Sequence, residues 1–193
     1  MKKIIAILLT ALFVLSLAAC SANNGDPDTT AAQNAGEIPE GVDTVRVTLP
    51  AYMFDEGTTA ASLKESLGDA VFAVEQNADG SFTYVMTPEQ QSAKLAELKQ
   101  NVDDSIAEVT SDEDFTVTAV EYTDDMSAFK VTVSGEALGD FDSYAGMLFE
   151  MQAQIYRVYL GAPDEAISIK YFTPDGTEIT DTESTLLTET VSE

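Results

Sequence analysis

Residues 115–163, FTVTAVEYTDDMSAFKVTVSGEALGDFDSYAGMLFEMQAQIYRVYLGAP, show the clearest succession of strand and helix patterns in the chain. Apolar and polar residues alternate on both sides of the turn residues 123–126, which predicts a β-hairpin. A long helix then begins with Asp140 or Asp142 as its cap and ends before Gly161. This hairpin-and-helix unit is the basis of the predicted fold.

The remaining chain extends this unit in both directions. The run TPEQ at 87–90 is typical of a capping box with proline at the first helical position. The predicted elements are a strand at 42–49, a short helix at 59–67, a hairpin at 71–86, a helix at 88–109, the hairpin at 115–133, the helix at 141–160 and a last hairpin at 166–180.

The predicted order β-α-ββ-α-ββ-α-ββ indicates the fold class. Strands joined by tight turns pair antiparallel, and helices that cover one face of such a sheet give two layers. We therefore expect a two-layer α+β sandwich, with one antiparallel sheet of hairpins and helices on one face. It forms a single domain over residues 42–180.

The first twenty residues predict export. Lys2 and Lys3 precede a run of mostly apolar residues that ends in Leu17-Ala18-Ala19-Cys20. A basic start, a short apolar run and small residues before a cleavage point are typical of a signal peptide, and the run is shorter than the roughly 20 residues of a membrane span. We expect a signal peptide at 1–19, a flexible tether at 20–41 and a frayed polar tail at 181–193.

Leu17-Ala18-Ala19-Cys20 resembles the lipobox of bacterial lipoproteins. The resemblance implies a diacylglyceryl group on Cys20, cleavage before it, and attachment to the extracytoplasmic face of the cell membrane. Two acyl chains satisfy what stable anchoring requires. Residues 42–180 also resemble small lipoproteins of Gram-positive gut bacteria, through VTLP at 47–50 and DGSFTYVM at 79–86, and this second resemblance implies no function.

The composition excludes several kinds of partner and of site. The chain has 34 acidic and 9 basic residues, and loss of Lys2 and Lys3 with the signal peptide changes its net charge from −25 to −27. Such a charge disfavours nucleic acid and anionic headgroups. Because the chain has no histidine, His-activated nucleophiles and His-ligated zinc sites are excluded. Cys20 is the one cysteine, so once it is acylated no thiol remains for a disulfide or a thiolate metal site.

We expect no cofactor, with Ca²⁺ as the one candidate ion. Acidic residues gather near the ends of predicted elements, and carboxylates are the ligands that Ca²⁺ prefers. The alternative is an acidic surface that is solvated and binds no specific ion. The candidate ligands are Asp112, Asp114, Asp124 and Asp125.

The helix at 141–160 holds the candidate binding residues. Its apolar arc exceeds roughly 200°, so the helix is either central in the fold or has a second buried face, with Arg157 on its narrow polar side. Gln152 falls within the arc, where a polar group must find a partner. Core packing is the alternative for the set that we assign to a pocket or partner face: Tyr144, Met147, Met151, Gln152, Tyr156 and Tyr159.

The predicted function is a cell-surface lipoprotein with a binding or accessory role, no catalytic residues, and a protein or small-ligand partner. Two alternatives remain open: a carboxylate-based hydrolase of cell wall or glycans, and a solute-binding lipoprotein. A cleft with two facing carboxylates favours the hydrolase. A closed apolar pocket around Gln152 favours a small ligand, and a flat apolar patch favours a protein partner.

Overall fold

The computed structural model describes residues 34–163 and 166–180. The expected signal peptide, Cys20 and the tail at 181–193 lie outside these residues. Short 3₁₀ turns occur at Ala51–Met53 and Gly68–Ala70. The described helices and strands are β1 (Asn34–Gly36), β2 (Val45–Leu49), α1 (Ala60–Leu67), β3 (Ala73–Gln76), β4 (Phe82–Met86), α2 (Pro88–Ser111), β5 (Val117–Tyr122), β6 (Ala128–Val133), α3 (Asp142–Leu160), β7 (Ser168–Phe172) and β8 (Glu178–Ile179).

From β2 onward the order of elements is the predicted one, and the α+β class is confirmed. The helix starts follow the local signals. At α1, Ser62 N donates to Thr59 Oγ1 at 3.1 Å. At α2 both hydrogen bonds of the capping box are present: Gln90 N donates to Thr87 Oγ1 at 3.0 Å, and Thr87 N donates to Gln90 Oε1 at 2.7 Å.

Residues 34–36, which the sequence analysis assigned to the tether at 20–41, form the edge strand β1. β1 pairs antiparallel with β3, with Ala35 opposite Val74. Gly36 has a φ of +98°, and a Cβ atom there would lie 2.2 Å from the Phe72 carbonyl oxygen, so this position requires glycine. The tether prediction is wrong for these residues because polar composition does not reveal pairing with a distant strand.

The described residues divide between Gln91 and Ser92 into two compact units, where the sequence analysis expected one domain over 42–180. In the first unit the sheet has the order β1-β3-β4-β2, and every pair is antiparallel. β4 is buried along its whole length. Because α1 packs against β1 and β3 and buries Ala60 and Leu63, this unit has a helix and a sheet of its own.

In the second unit the sheet has the order β5-β6-β7-β8, and β6 and β7 run parallel. The prediction of one wholly antiparallel sheet is therefore wrong in the number of sheets and in this pair. α3 is the physical reason. It follows β6 and returns the chain to the end of the sheet where β6 began, and such a crossover makes the two flanking strands parallel.

The core of the second unit lies between its sheet and the helices. Phe129 of β6 and Phe149 of α3 stack with ring centres 5.8 Å apart. The opposite face of the sheet presents exposed Lys130 and Lys170, so the helices lie on one face as predicted. The buried residues are Val102, Val109, Val117, Met126, Phe129, Val131, Val133, Ala145, Phe149, Ala153, Tyr156 and Tyr171. Over the described residues, none of the helices is long and apolar enough to cross a membrane.

Candidate functional site

A buried carboxylate attaches the start of α3 to Thr116, the residue just before β5. Phe141 occupies the cap position without a side-chain hydrogen bond, so the prediction of Asp140 or Asp142 as the cap is wrong, and Asp142 is the first helical residue. The Asp142 carboxylate, which is fully buried, accepts hydrogen bonds from Thr116 N at 2.8 Å, from Thr116 Oγ1 and from Gly139 N at 2.7 Å. These bonds satisfy the carboxylate and hold the first turn of α3 in place.

A close approach of Tyr171 to Gly146 determines how α3 lies on the sheet. Tyr171 Oη donates to the Asp142 carbonyl oxygen at 3.1 Å. A Cβ atom on Gly146 would lie 2.1 Å from Tyr171 Oη, so the hydroxyl reaches the helix backbone because residue 146 has no side chain. Burial raises the pKa of Tyr171 from 10.0 to about 12, so this hydrogen-bond donor stays protonated well into the alkaline range.

The far end of α3 holds the turn between β5 and β6. Arg157, which the sequence analysis placed on the polar side of the helix, is only 1% exposed, and its Nη1 donates to the Asp125 carbonyl oxygen at 3.0 Å. Tyr156 Oη donates to the Asp124 carbonyl oxygen at 3.2 Å. Met126 has a φ of +54° and is fully buried in this turn. The sequence analysis placed Arg157 on the solvent side because a helical wheel does not show that the turn at 123–126 packs over this end of the helix.

The four candidate Ca²⁺ ligands do not gather at one place. Asp112 Oδ1 accepts from Asp114 N at 3.0 Å, and Asp124 Oδ1 lies 3.2 Å from Lys99 Nζ. Hydrogen bonds from Thr123 and Ser127 hold the pKa of Asp125 well below its usual range. Among residues 34–163 and 166–180, no group of three or more Asp, Glu, His or Cys side chains could hold a metal ion.

α3 divides the six candidate binding residues between two faces. Tyr156 and Tyr159 are 8% and 4% exposed and belong to the buried side. Gln152 is half-buried, and we call the remaining three, Tyr144, Met147 and Met151, the outer row; their exposed fractions are 58%, 50% and 38%. Their spacing of three and four residues places them along one line of the helix, so the wide apolar arc consists of a core face and a solvent-facing row.

Gln152 marks the contact between α2 and α3. Its Nε2 donates to Ser105 Oγ of α2 at 2.8 Å, and within the described residues its buried Oε1 has no hydrogen-bond partner. The core residues Val102 and Val109 lie on one side of Ser105 on the helical wheel. At about 100° per residue, the outer row of α3 lies on the side of Gln152 that points away from the core.

The matching side of α2 is acidic. Glu97, Asp104 and Glu108, which we call the acidic row, are exposed and lie seven and four residues apart. They fall on the side of Ser105 that points away from Val102 and Val109. The two rows therefore flank the Ser105–Gln152 contact on its solvent side. The sequence analysis missed the acidic row, although this spacing identifies one face of a helix.

Open depressions also occur elsewhere on the described residues, and we describe two of them. The first, of about 460 Å³, belongs to the first unit, where Lys64 Nζ donates to the Gly68 carbonyl oxygen at 2.5 Å and Gln90 Nε2 to the Asp69 carbonyl oxygen at 2.6 Å. These side chains stabilise the turn after α1. Its lining residues are Gly36, Glu37, Lys64, Asp69, Val71, Phe72 and Gln90.

The second depression, of about 310 Å³, lies on the exposed side of β5, β6 and β7. Its two lysines are already paired. Lys130 Nζ lies 3.5 Å from Glu121 Oε2 and 5.6 Å from the ring centre of Phe172, and Lys170 Nζ lies 3.0 Å from Glu178 Oε1. These lysines therefore form solvent-exposed ion pairs with glutamates of the neighbouring strands.

Comparisons of this chain with protein-family models, with curated proteins and with solved structures find no match.

Proposed function

We propose that this protein is anchored by lipid at the extracytoplasmic face of the cell membrane and binds a protein partner through the outer row of α3. The exposure of Tyr144, Met147 and Met151 carries the proposal, because the opposite face of the same helix already fills the core. Tyr and Met are enriched in interfaces, and an apolar row on a solvated helix marks an interaction site.

The sequence supports the anchoring part of the proposal. Leu17-Ala18-Ala19-Cys20 resembles a lipobox, and a diacylated Cys20 would supply the two chains of a stable anchor. The net charge of −25 disfavours a nucleic acid or an anionic lipid surface as the partner. A protein held near the membrane would then meet partners at the cell surface.

The chemistry near the outer row favours binding over hydrolysis. The buried charged groups of α3 have structural partners: Thr116 and Gly139 donate to the Asp142 carboxylate, and Arg157 contacts the turn at Asp125. Such hydrogen bonds stabilise the helix ends rather than present a group to a substrate. The outer row itself is a surface strip, which suits a protein segment better than an enclosed solute.

Site-specific photo-crosslinking in the cells that produce the protein tests this function. A photoreactive amino acid replaces Met147, and the matched control replaces Ala119, an exposed residue of β5 on the face of the sheet that α3 does not cover. We expect a discrete adduct from position 147 that Met151→Gln weakens, and none from position 119. Equal adducts from both positions, or no adduct from 147, would show that the outer row is not a binding site.

A further inference from the structure

We propose that the partner presents a basic amphipathic helix, which lies along α2 and α3 with its apolar side chains on the outer row and its Lys or Arg side chains on the acidic row. The inference rests on the proposed function and adds the chemistry of the partner to it.

The geometry of the two rows is the first argument. The hydrogen bond between Gln152 and Ser105 holds α3 beside α2, and both rows lie on its solvent side. A single segment placed over this contact therefore meets apolar side chains from one helix and carboxylates from the other. An amphipathic helix in a groove presents both kinds of side chain along one length.

The lengths of the rows determine the size of the segment. Tyr144 and Met151 are seven residues apart, or about 10 Å along the helix, and Glu97 and Glu108 are eleven residues apart, or about 16 Å.

The two helices run antiparallel, because Ser105 contacts Gln152 while Asp124 contacts both Lys99 and Tyr156. Met147 and Met151 therefore lie level with Asp104 and Glu108, and a partner helix of three to four turns covers these four side chains, with Tyr144 and Glu97 toward opposite ends. Its apolar residues recur at spacings of three and four, and its basic residues lie on one flank of that stripe.

Charge is the second argument. The acidic row contributes three carboxylates. Glu97 is already paired with Lys94 Nζ at 2.9 Å, whereas Asp104 accepts only from the neutral Gln100 at 2.8 Å and, among the described residues, no lysine or arginine pairs with Glu108. The whole chain adds a net charge of −25. A basic segment is attracted to such a surface over a distance of about a Debye length and is then selected by nearby carboxylates. A cationic side chain over the exposed Tyr144 ring adds a cation–π contact.

The same charge disfavours the other occupants of an apolar strip. A second copy carries a net charge of −25 as well, so its acidic row would be repelled by this one. An anionic bilayer repels the acidic row. A basic segment is the occupant that both rows attract.

Fluorescence anisotropy with designed probe peptides tests the inference. The protein is the mature chain, residues 20–193, carrying Cys20→Ser so that no lipid is attached. The first labelled peptide is a 14-residue helix of leucine and lysine with an apolar stripe. The second replaces every lysine by glutamate, and the third has the composition of the first in scrambled order.

Paired variants separate the two rows. Met147→Gln with Met151→Gln removes apolar contacts, and Asp104→Asn with Glu108→Gln removes two charges. The matched control, Glu121→Gln with Glu178→Gln, removes two charges from the other face of the sheet. We expect only the ordered lysine peptide to bind. Either test pair should weaken binding by about tenfold, the control pair should leave it unchanged, and added salt should weaken it.

Each other result overturns the inference in a distinguishable way. Equal binding of the glutamate peptide refutes the basic partner, and equal binding of the scrambled peptide shows non-specific attraction. Dimerisation that Met147→Gln abolishes identifies a second copy, and binding to phosphatidylglycerol vesicles identifies a lipid surface. If no peptide binds while the adduct at position 147 persists, this inference fails and the proposed function stands. Loss of that adduct refutes the proposed function itself.

Discussion

Replacing Gly146 by alanine tests the packing that holds α3 on its sheet. The new Cβ atom would lie 2.1 Å from Tyr171 Oη, far inside van der Waals contact, while Tyr171 Cζ is at 3.2 Å and Ile169 Cγ2 at 3.6 Å. The hydroxyl must therefore move and release the Asp142 carbonyl oxygen. Because the side chain lies in the middle of a helix that contacts the core, the backbone has little room to relax.

The expected effect is a loss of about 1–3 kcal/mol in the free energy of unfolding. Overpacking costs about 1–3 kcal/mol, and loss of the hydrogen bond from Tyr171 costs about 1 kcal/mol. Alanine offsets about 1 kcal/mol, since glycine disfavours helix interiors by that amount. Urea unfolding of the mature chain, followed by circular dichroism, measures the change. Ser143→Ala, at an exposed position on the same helix, is the control, with an expected change within about 0.5 kcal/mol.

The double variant Gly146→Ala with Tyr171→Phe makes the test specific. Removal of the hydroxyl removes the 2.1 Å overlap and leaves only the tight 3.2 Å contact with the ring carbon, so alanine should cost less in the Tyr171→Phe background than in the wild-type protein. The two substitutions should therefore couple by about 1–3 kcal/mol. If Gly146→Ala alone stabilises the protein, or if the two effects add, Tyr171 does not approach the helix as described.

Three further predictions concern the anchor, the core and the tyrosines. Cys20→Ser should move the protein from the membrane fraction to the medium or leave it as precursor, and mature membrane-bound protein without lipid in mass spectrometry would contradict the anchor. Phe149→Ala should cost about 3–5 kcal/mol in urea unfolding, and Leu148→Ala, at a half-buried site, should cost less. Burial raises the pKa of Tyr84 and Tyr171 from 10.0 to about 12, so their contribution to stability is complete below pH 10 and is lost as pH rises toward 12. Unfolding at stepped pH should show this decline, and Tyr171→Phe should make it shallower.

The two faces of α3 explain why its apolar arc is so wide. The buried side, with Ala145, Phe149 and Ala153, needs only the arc of an ordinary amphipathic helix. Tyr144 and Met151 lie outside that arc and remain exposed. The extra width of the apolar arc is therefore not required for packing within the described residues. The exposed residues that produce it belong to the outer row, to which we assign the proposed binding function.

Local signals made the succession of elements predictable from the sequence. Thr87 and Gln90 form the predicted capping box, because the hydrogen bonds of a helix start involve residues only three positions apart. The tight turn at 77–80 is present, with Gly80 N donating to the Asn77 carbonyl oxygen at 3.0 Å. The α+β class follows from the order of such elements, since each strand and helix pattern is complete within a few residues.

The sequence by itself determined the order and type of the helices and strands from β2 onward, and only the tertiary structure decided how they pair and pack. The parallel pairing of β6 and β7, the strand at 34–36, the burial of Arg157 and the division of α3 into a core face and an outer row all depend on groups far apart along the chain. Periodicity shows that a side chain is apolar and which face of its helix it shares. Whether another element covers that face is a property of packing, which no local pattern contains.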